Sequence, residues 1–205
     1  MTKRQAKGEA RERLVIAAAA QLIAERGLAN VRIVDIAERA AMSTGHVSYY
    51  FPSKSELLMR AIRQSEETFT DLLVDQITTI RDPWARLTRL IELSAATGVA
   101  DPGWVLWFEV WSNAATDADV ARVHDELDRR AKAILLEVIA YGRDQGAFQT
   151  DDPARVALVL AALIDGLSIQ LTLGSGGLTR KHLLEVTLTA AKAQLGAQAD
   201  PGAAG

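Results

Sequence analysis

Between Val31 and Leu58 the sequence VRIVDIAERAAMSTGHVSYYFPSKSELL leaves few folds open. Ile33, Ile36, Ala37 and Ala40 recur at helical spacing, the pattern breaks at Met42-Ser43, and it resumes at Val47 and Phe51. Two short helices with a tight turn between them are predicted. Ser43 suits the N-cap of the second, because its hydroxyl can accept an otherwise unpartnered N–H of the first turn. Once Val47 and Phe51 face a core, Thr44, Gly45, His46, Ser48 and Tyr49 are left facing outward. A helix this short is not stable alone in water and must be docked on something else. Gly45 costs about 1 kcal/mol relative to alanine inside a helix, yet it lets another surface approach the backbone. Small, hydroxyl and phenol groups beside a glycine suit a nucleic-acid groove, and the stretch reads as a helix-turn-helix.

A net charge of −3 argues against DNA binding until it is divided along the chain. Residues 1–63 hold eleven Lys+Arg against six Asp+Glu, net +5, and residues 64–205 hold twelve against twenty, net −8. The positive potential therefore sits with the helix-turn-helix, where phosphates would lie.

The motif resembles that of the TetR family of bacterial transcriptional repressors. The matching residues are Ile36-Ala37, Ala40-Ala41-Met42-Ser43, Gly45, Ser48-Tyr49-Tyr50-Phe51 and Lys54. Ala41 stands where the family usually has a turn glycine, and Ser48 where it usually has a tyrosine that meets a phosphate. The Ser43-Thr44-Gly45 form is similar to the BetI-like branch, which contains the choline-responsive repressor of betaine synthesis. The resemblance implies a homodimer reading a palindromic double-stranded DNA operator and released by a small-molecule effector. On that reading Thr44, Gly45, His46 and Tyr49 approach base edges, while Arg32, Ser43, Ser48, Tyr50 and Lys54 hold phosphates.

Taken in order, residues 1–8 with Lys3, Arg4 and Lys7 read as a flexible basic arm. From Glu9 to Arg26, the rows Leu14, Ala18, Leu22 and Val15, Ala19, Ile23 give a broad buried stripe, stopped by Gly27. Ser53 and Glu56 form a capping box for a helix running from Lys54 to about Ile80. Asp82-Pro83, Asp101-Pro102 and Asp152-Pro153 each place an acid before a proline, and Thr116 with Asp119 gives a weaker start signal. Helices are predicted at 83–98, 103–114, 117–144, 153–173 and 179–196, with no strand pattern. The fold class is all-α: a three-helix DNA-binding domain over 9–53, with the motif at about 32–51, and a larger helical effector and dimerisation domain over 54–196. A disordered tail is expected over 197–205.

Within 103–114, Trp104, Trp107, Phe108 and Trp111 share one narrow arc, and Glu109 lies on the far side with Asn113. Two readings stand. The arc is core, or these residues, with Asp165 on the 153–173 helix, line a ligand cavity in which Glu109, with Asn113 in line, meets a cationic ligand; a polyamine or an apolar effector fits as well. Val156 to Leu173 is apolar all round apart from Asp165 and a few small polar groups, too polar to suit lipid. Such a helix needs cover on both sides: either it is central within one protomer, or a second copy covers one side, and the resemblance implies that 153–173 and 179–196 pair across a two-fold axis as a four-helix bundle.

Without cysteine, disulfides and thiolate chemistry are excluded. The N-terminus has no apolar signal segment, and a cytoplasmic location is expected. His46, His124 and His182 fall in no metal or catalytic spacing, so neither a metal, a cofactor nor an enzyme activity is predicted. The competing readings are a helical interaction protein with a degenerate helix-turn-helix and, behind it, a small-molecule enzyme.

Overall fold

The computed structural model describes residues 3–196, with side chains from Gly8 onward. Nine α-helices are present among the described residues, and no strand: α1 (Lys3–Arg26), α2 (Ile33–Arg39), α3 (Thr44–Tyr50), α4 (Lys54–Thr78), α5 (Pro83–Ser94), α6 (Pro102–Ala114), α7 (Ala118–Asp144), α8 (Pro153–Thr172) and α9 (Arg180–Leu195). Residues 3–8, expected as an arm, continue α1 instead, Gly8 included. The expected tail, 197–205, lies outside the described residues.

The helix starts follow their caps. Asp82 accepts from Ala85 N at 2.6 Å and Asp152 from Arg155 N at 2.9 Å, each one residue before a proline. At α7 the cap is Asp117, whose Oδ1 accepts from Asp119 N and Val120 N. Thr116, the expected cap, instead gives its hydroxyl to Asn113 O. At α4 only half the predicted box forms. Ser53 Oγ accepts from Glu56 N at 3.0 Å, but Glu56 Oε1 takes Arg60, one turn on.

Two compact units divide the described residues: one up to residue 69 together with 102–127, the other over 70–101 together with the described residues from 128 onward. Helices α4 and α7 contribute to both. The first unit is built around Val15, Ala19, Leu22 and Ile23 of α1, on which Ile36 and Ala37 of α2, Val47 and Phe51 at α3, and Leu58 and Ile62 of α4 converge. Leu106 and Val110 of α6 belong to the same core. Leu14, expected inside, is exposed.

In the second unit, α8 and α9 pack along each other with α5 against α9. Leu87, Ile91, Ile139, Leu160, Ile164 and Leu183 are buried. Buried Ser168 accepts the N–H of Ala96, just past the end of α5, at 3.0 Å, which answers one of the two buried polar side chains of α8. A Cβ on Gly142 would overlap the Phe148 ring, which stacks edge-on against Trp84 at 4.7 Å.

Candidate nucleic-acid interface and effector site

The turn between α2 and α3 is made by an alanine in a glycine's conformation. Met42 N donates to Ala37 O at 2.8 Å and Ala41 N to Glu38 O at 3.1 Å, the bonding of a Schellman end, with Ala41 at φ 53°. Ser43 then caps α3, accepting from His46 N at 3.3 Å. Val47 and Phe51 are buried, which turns Ser43, Thr44, Gly45, His46, Ser48 and Tyr49 outward. Tyr49 is 82% exposed and Tyr50 half-buried, with the two rings edge-on at 5.4 Å. A Cβ on Gly45 would meet nothing within 4 Å, so no neighbour in the fold requires glycine there.

Around this surface the cations are anchored. Lys54 Nζ donates to Leu28 O at 3.3 Å and Ala29 O at 3.2 Å, tying the first turn of α4 to the 3-10 turn Leu28–Asn30. One of its three protons remains for a phosphate. Arg32, at the N-cap of α2, is forked onto Asp35, and Arg39 is forked onto Glu25 of α1. The Arg39 guanidinium holds the Glu25 carboxyl below its usual range.

The aromatic face of α6 flanks the core, with Trp107 packed against it, and the carboxylate that meets it is not Glu109. Leu106 and Val110 are the buried residues of α6, while Trp104, Trp107, Phe108 and Trp111 are only half-buried. Trp111 sits 5.9 to 6.1 Å from each of the other three rings. The acid that joins them is Glu66 of α4, whose Oε1 accepts the Trp107 indole N–H at 2.9 Å. His124 of α7 stands edge-on to the same indole at 6.0 Å.

Glu109 points elsewhere. Its Oε1 lies 2.9 Å from where a Cβ on Gly27 would be, and Asn113 donates back to the Glu109 carbonyl at 2.8 Å. Asp165 lies on α8 in the other unit. Of the predicted ligand residues, the structure thus brings the four rings together and separates Glu109 from them. Glu66 and His124 were missed because each reaches the arc from another helix, with no local spacing to announce it.

Residues 15–61 match the model of the tetR family of bacterial regulatory proteins, and residues 83–196 that of the BetI-type transcriptional repressor C-terminal domain. The chain belongs to the TetR family, with a BetI-type C-terminal domain. It is 29% identical over 180 residues to the regulator BetI of Burkholderia ambifaria, covering 87% of this chain and 90% of that protein. To BetI of Rhizobium meliloti it is 28% identical, covering 93% of this chain and 92% of that one. A transcriptional regulator from Saccharomonospora viridis, crystallised in complex with choline, matches at 34% identity with a TM-score of 0.79, covering 87% of this chain and 93% of that chain.

The family expectation drawn from the motif is therefore correct, and the chain is a transcriptional regulator rather than an enzyme. Ala41, one of the two departures from the pattern, leaves the turn geometry intact at the cost of a left-handed alanine.

Proposed function

We propose that the protein is a homodimeric, cytoplasmic repressor that holds a palindromic operator and releases it when a small cationic amine binds at the aromatic face of α6. The observation that carries the DNA reading is the two-sidedness of α3, with Val47 and Phe51 locked in the core and Thr44, Gly45, His46 and Tyr49 presented outward. Those four approach base edges in the major groove, and Arg32, Ser43, Ser48, Tyr50 and Lys54 hold the flanking backbone. The functional head is residues 9–53, and residues 54–196 serve effector binding and pairing.

For the effector, Glu66 accepts the Trp107 indole N–H and so sets a carboxylate at one edge of the ring cluster, which suits an alkylated ammonium ion. Choline is the first ligand to test, since the Saccharomonospora viridis relative was crystallised with it. Glu109 and Asn113 act differently: Glu109 leans on Gly27 at the end of α1, so a shift of α6 is felt directly in the head. The ligand lowers DNA affinity only by as much as it prefers the shifted state.

Pairing is supported by α8. Leu158, Ala162 and Leu173 are exposed along one side, with Ile169 partly so, a Cβ on Gly166 would meet nothing within 4 Å, and Val186 of α9 is exposed too. A second copy covers that face in our reading and sets two recognition helices about 34 Å apart.

The test is selection of bound duplexes from a random-sequence library by the whole protein, with sedimentation to give its mass. A single enriched palindrome and a dimer are expected. A monomer, or retention of every duplex alike, would contradict the reading.

A further inference from the structure

An N-cap side chain ordinarily accepts a hydrogen bond from the helix it starts, and a guanidinium has no acceptor to offer. Arg32 nevertheless occupies the N-cap of α2. Asp35 makes up the difference from one turn on. Its Oδ2 accepts the Arg32 backbone N–H at 3.0 Å and Nε at 3.1 Å, and its Oδ1 accepts Nη2 at 3.0 Å. Arg26 adds a second cation, with Nη1 3.9 Å from Oδ1. The Asp35 side chain is 12% exposed and that of Arg32 73%, so the carboxylate lies beneath and the guanidinium stands outside it. These contacts hold the Asp35 carboxyl below its ordinary range.

With Nε and one Nη2 proton engaged, the guanidinium keeps its outer edge, Nη1 and the second Nη2 proton, side by side in one plane. That edge matches a pair of acceptors on duplex DNA, either two phosphate oxygens or O6 and N7 of a guanine. A tethered arginine meets such a pair without first being ordered, which a free surface arginine must be. We propose that Asp35 is a positioning residue for operator binding, holding Arg32 so that its outer edge meets a paired acceptor on the DNA. The inference rests on the reading that this head grips duplex DNA.

Charge alone predicts the opposite sign. Removing a carboxylate from a basic head strengthens attachment to any duplex and steepens its salt dependence. Posture predicts a loss on the operator, shared by other duplexes if the acceptor is a phosphate and confined to the operator if it is a guanine.

The experiment measures dissociation constants of the full-length protein for its library-selected operator and for a scrambled duplex, together with melting temperatures. The variants are Asp35→Asn, Arg32→Ala and the double substitution. Asp35→Asn is expected to weaken operator binding by roughly tenfold or more, to weaken the scrambled duplex too where the acceptor is a phosphate and leave it as tight or tighter where it is a guanine, and to add little once Arg32 is alanine. Asp35→Glu, which keeps a forking carboxylate, is expected to restore part of the loss. Tighter binding to both duplexes on Asp35→Asn, or an equal loss in the Arg32→Ala background, would overturn the proposal. The acceptor is found by placing methylphosphonates at operator phosphates and 7-deazaguanine at its guanines. The position that hurts the wild type and not Arg32→Ala is the partner, and the absence of any such position would also overturn it. If the library yields no enriched sequence, operator reading itself fails; an enriched operator indifferent to Asp35→Asn removes only the role of Asp35.

Discussion

The Arg86 guanidinium lies over the Tyr141 ring, its carbon 3.7 Å from the centroid, and the two side chains donate to carbonyls at and just past the end of α4. Arg86 Nε reaches Ile80 O at 2.8 Å and Nη2 reaches Thr78 O at 3.3 Å, while the Tyr141 hydroxyl reaches Arg81 O at 2.8 Å. The last carbonyls of a helix have no partner within it, and a cation is favoured there. Arg86→Ala is expected to cost about 2–3 kcal/mol, from charge-assisted hydrogen bonds and the ring contact together. Tyr141→Phe keeps the ring and is expected to cost about 1 kcal/mol. Urea unfolding of the two variants checks this, and equal losses would show that the stack contributes nothing.

Ala41 is held at φ 53°, where an L side chain is strained. Ala41→Gly is expected to gain about 0.5–1 kcal/mol, strain relief being partly offset by the greater freedom of glycine in the unfolded chain. The same unfolding experiment reads it. A loss of stability would mean that the methyl group packs more favourably than the turn is strained.

Gly45 sits in α3 with open space where a Cβ would go and no unusual backbone. Gly45→Ala is therefore expected to raise stability by about 1 kcal/mol, the helix propensity difference. Operator affinity is expected to fall, because the added methyl group stands between the helix and the groove. Melting temperature and operator retention should thus move in opposite directions, and unchanged retention would show that the backbone of α3 does not come close to DNA.

Helix positions were largely legible in the sequence because their signals are local. The Asp82-Pro83 and Asp152-Pro153 pairs and the Ser43 cap mark the starts of helices that form there. What sequence periodicity could not say is which face meets what. On α6 the arc of Trp104, Trp107, Phe108 and Trp111 is the most apolar side, yet Leu106 and Val110 are the residues buried with α1. The carboxylate near those rings is Glu66, 41 residues upstream of Trp107, and no local pattern distinguishes it from Glu109. The Arg32–Asp35 fork was within reach of sequence, three residues apart, but arginine is not a residue expected at an N-cap.

Asp117 joins the α6–α7 turn to the first turn of α4. Its carboxyl is held below the ordinary value of 3.8 first by the Ser55 hydroxyl, then by the N–H groups of Val120 and Asp119. A carboxyl depressed on folding contributes stability above its unfolded pKa and loses that contribution as pH falls through the folded value. Asp117→Asn is thus expected to melt lower than the wild type at neutral pH, with the gap closing below about pH 4. A gap independent of pH would assign the loss to packing.

In the proposed function a cation on the aromatic face makes the protein let go of DNA, and retention of the selected operator during choline titration, for wild type and Glu66→Gln, tests this. The account predicts that choline strips the wild type from DNA at concentrations that leave Glu66→Gln bound, with operator affinity equal in its absence. Release of both proteins at the same choline concentration, or of neither, would contradict it.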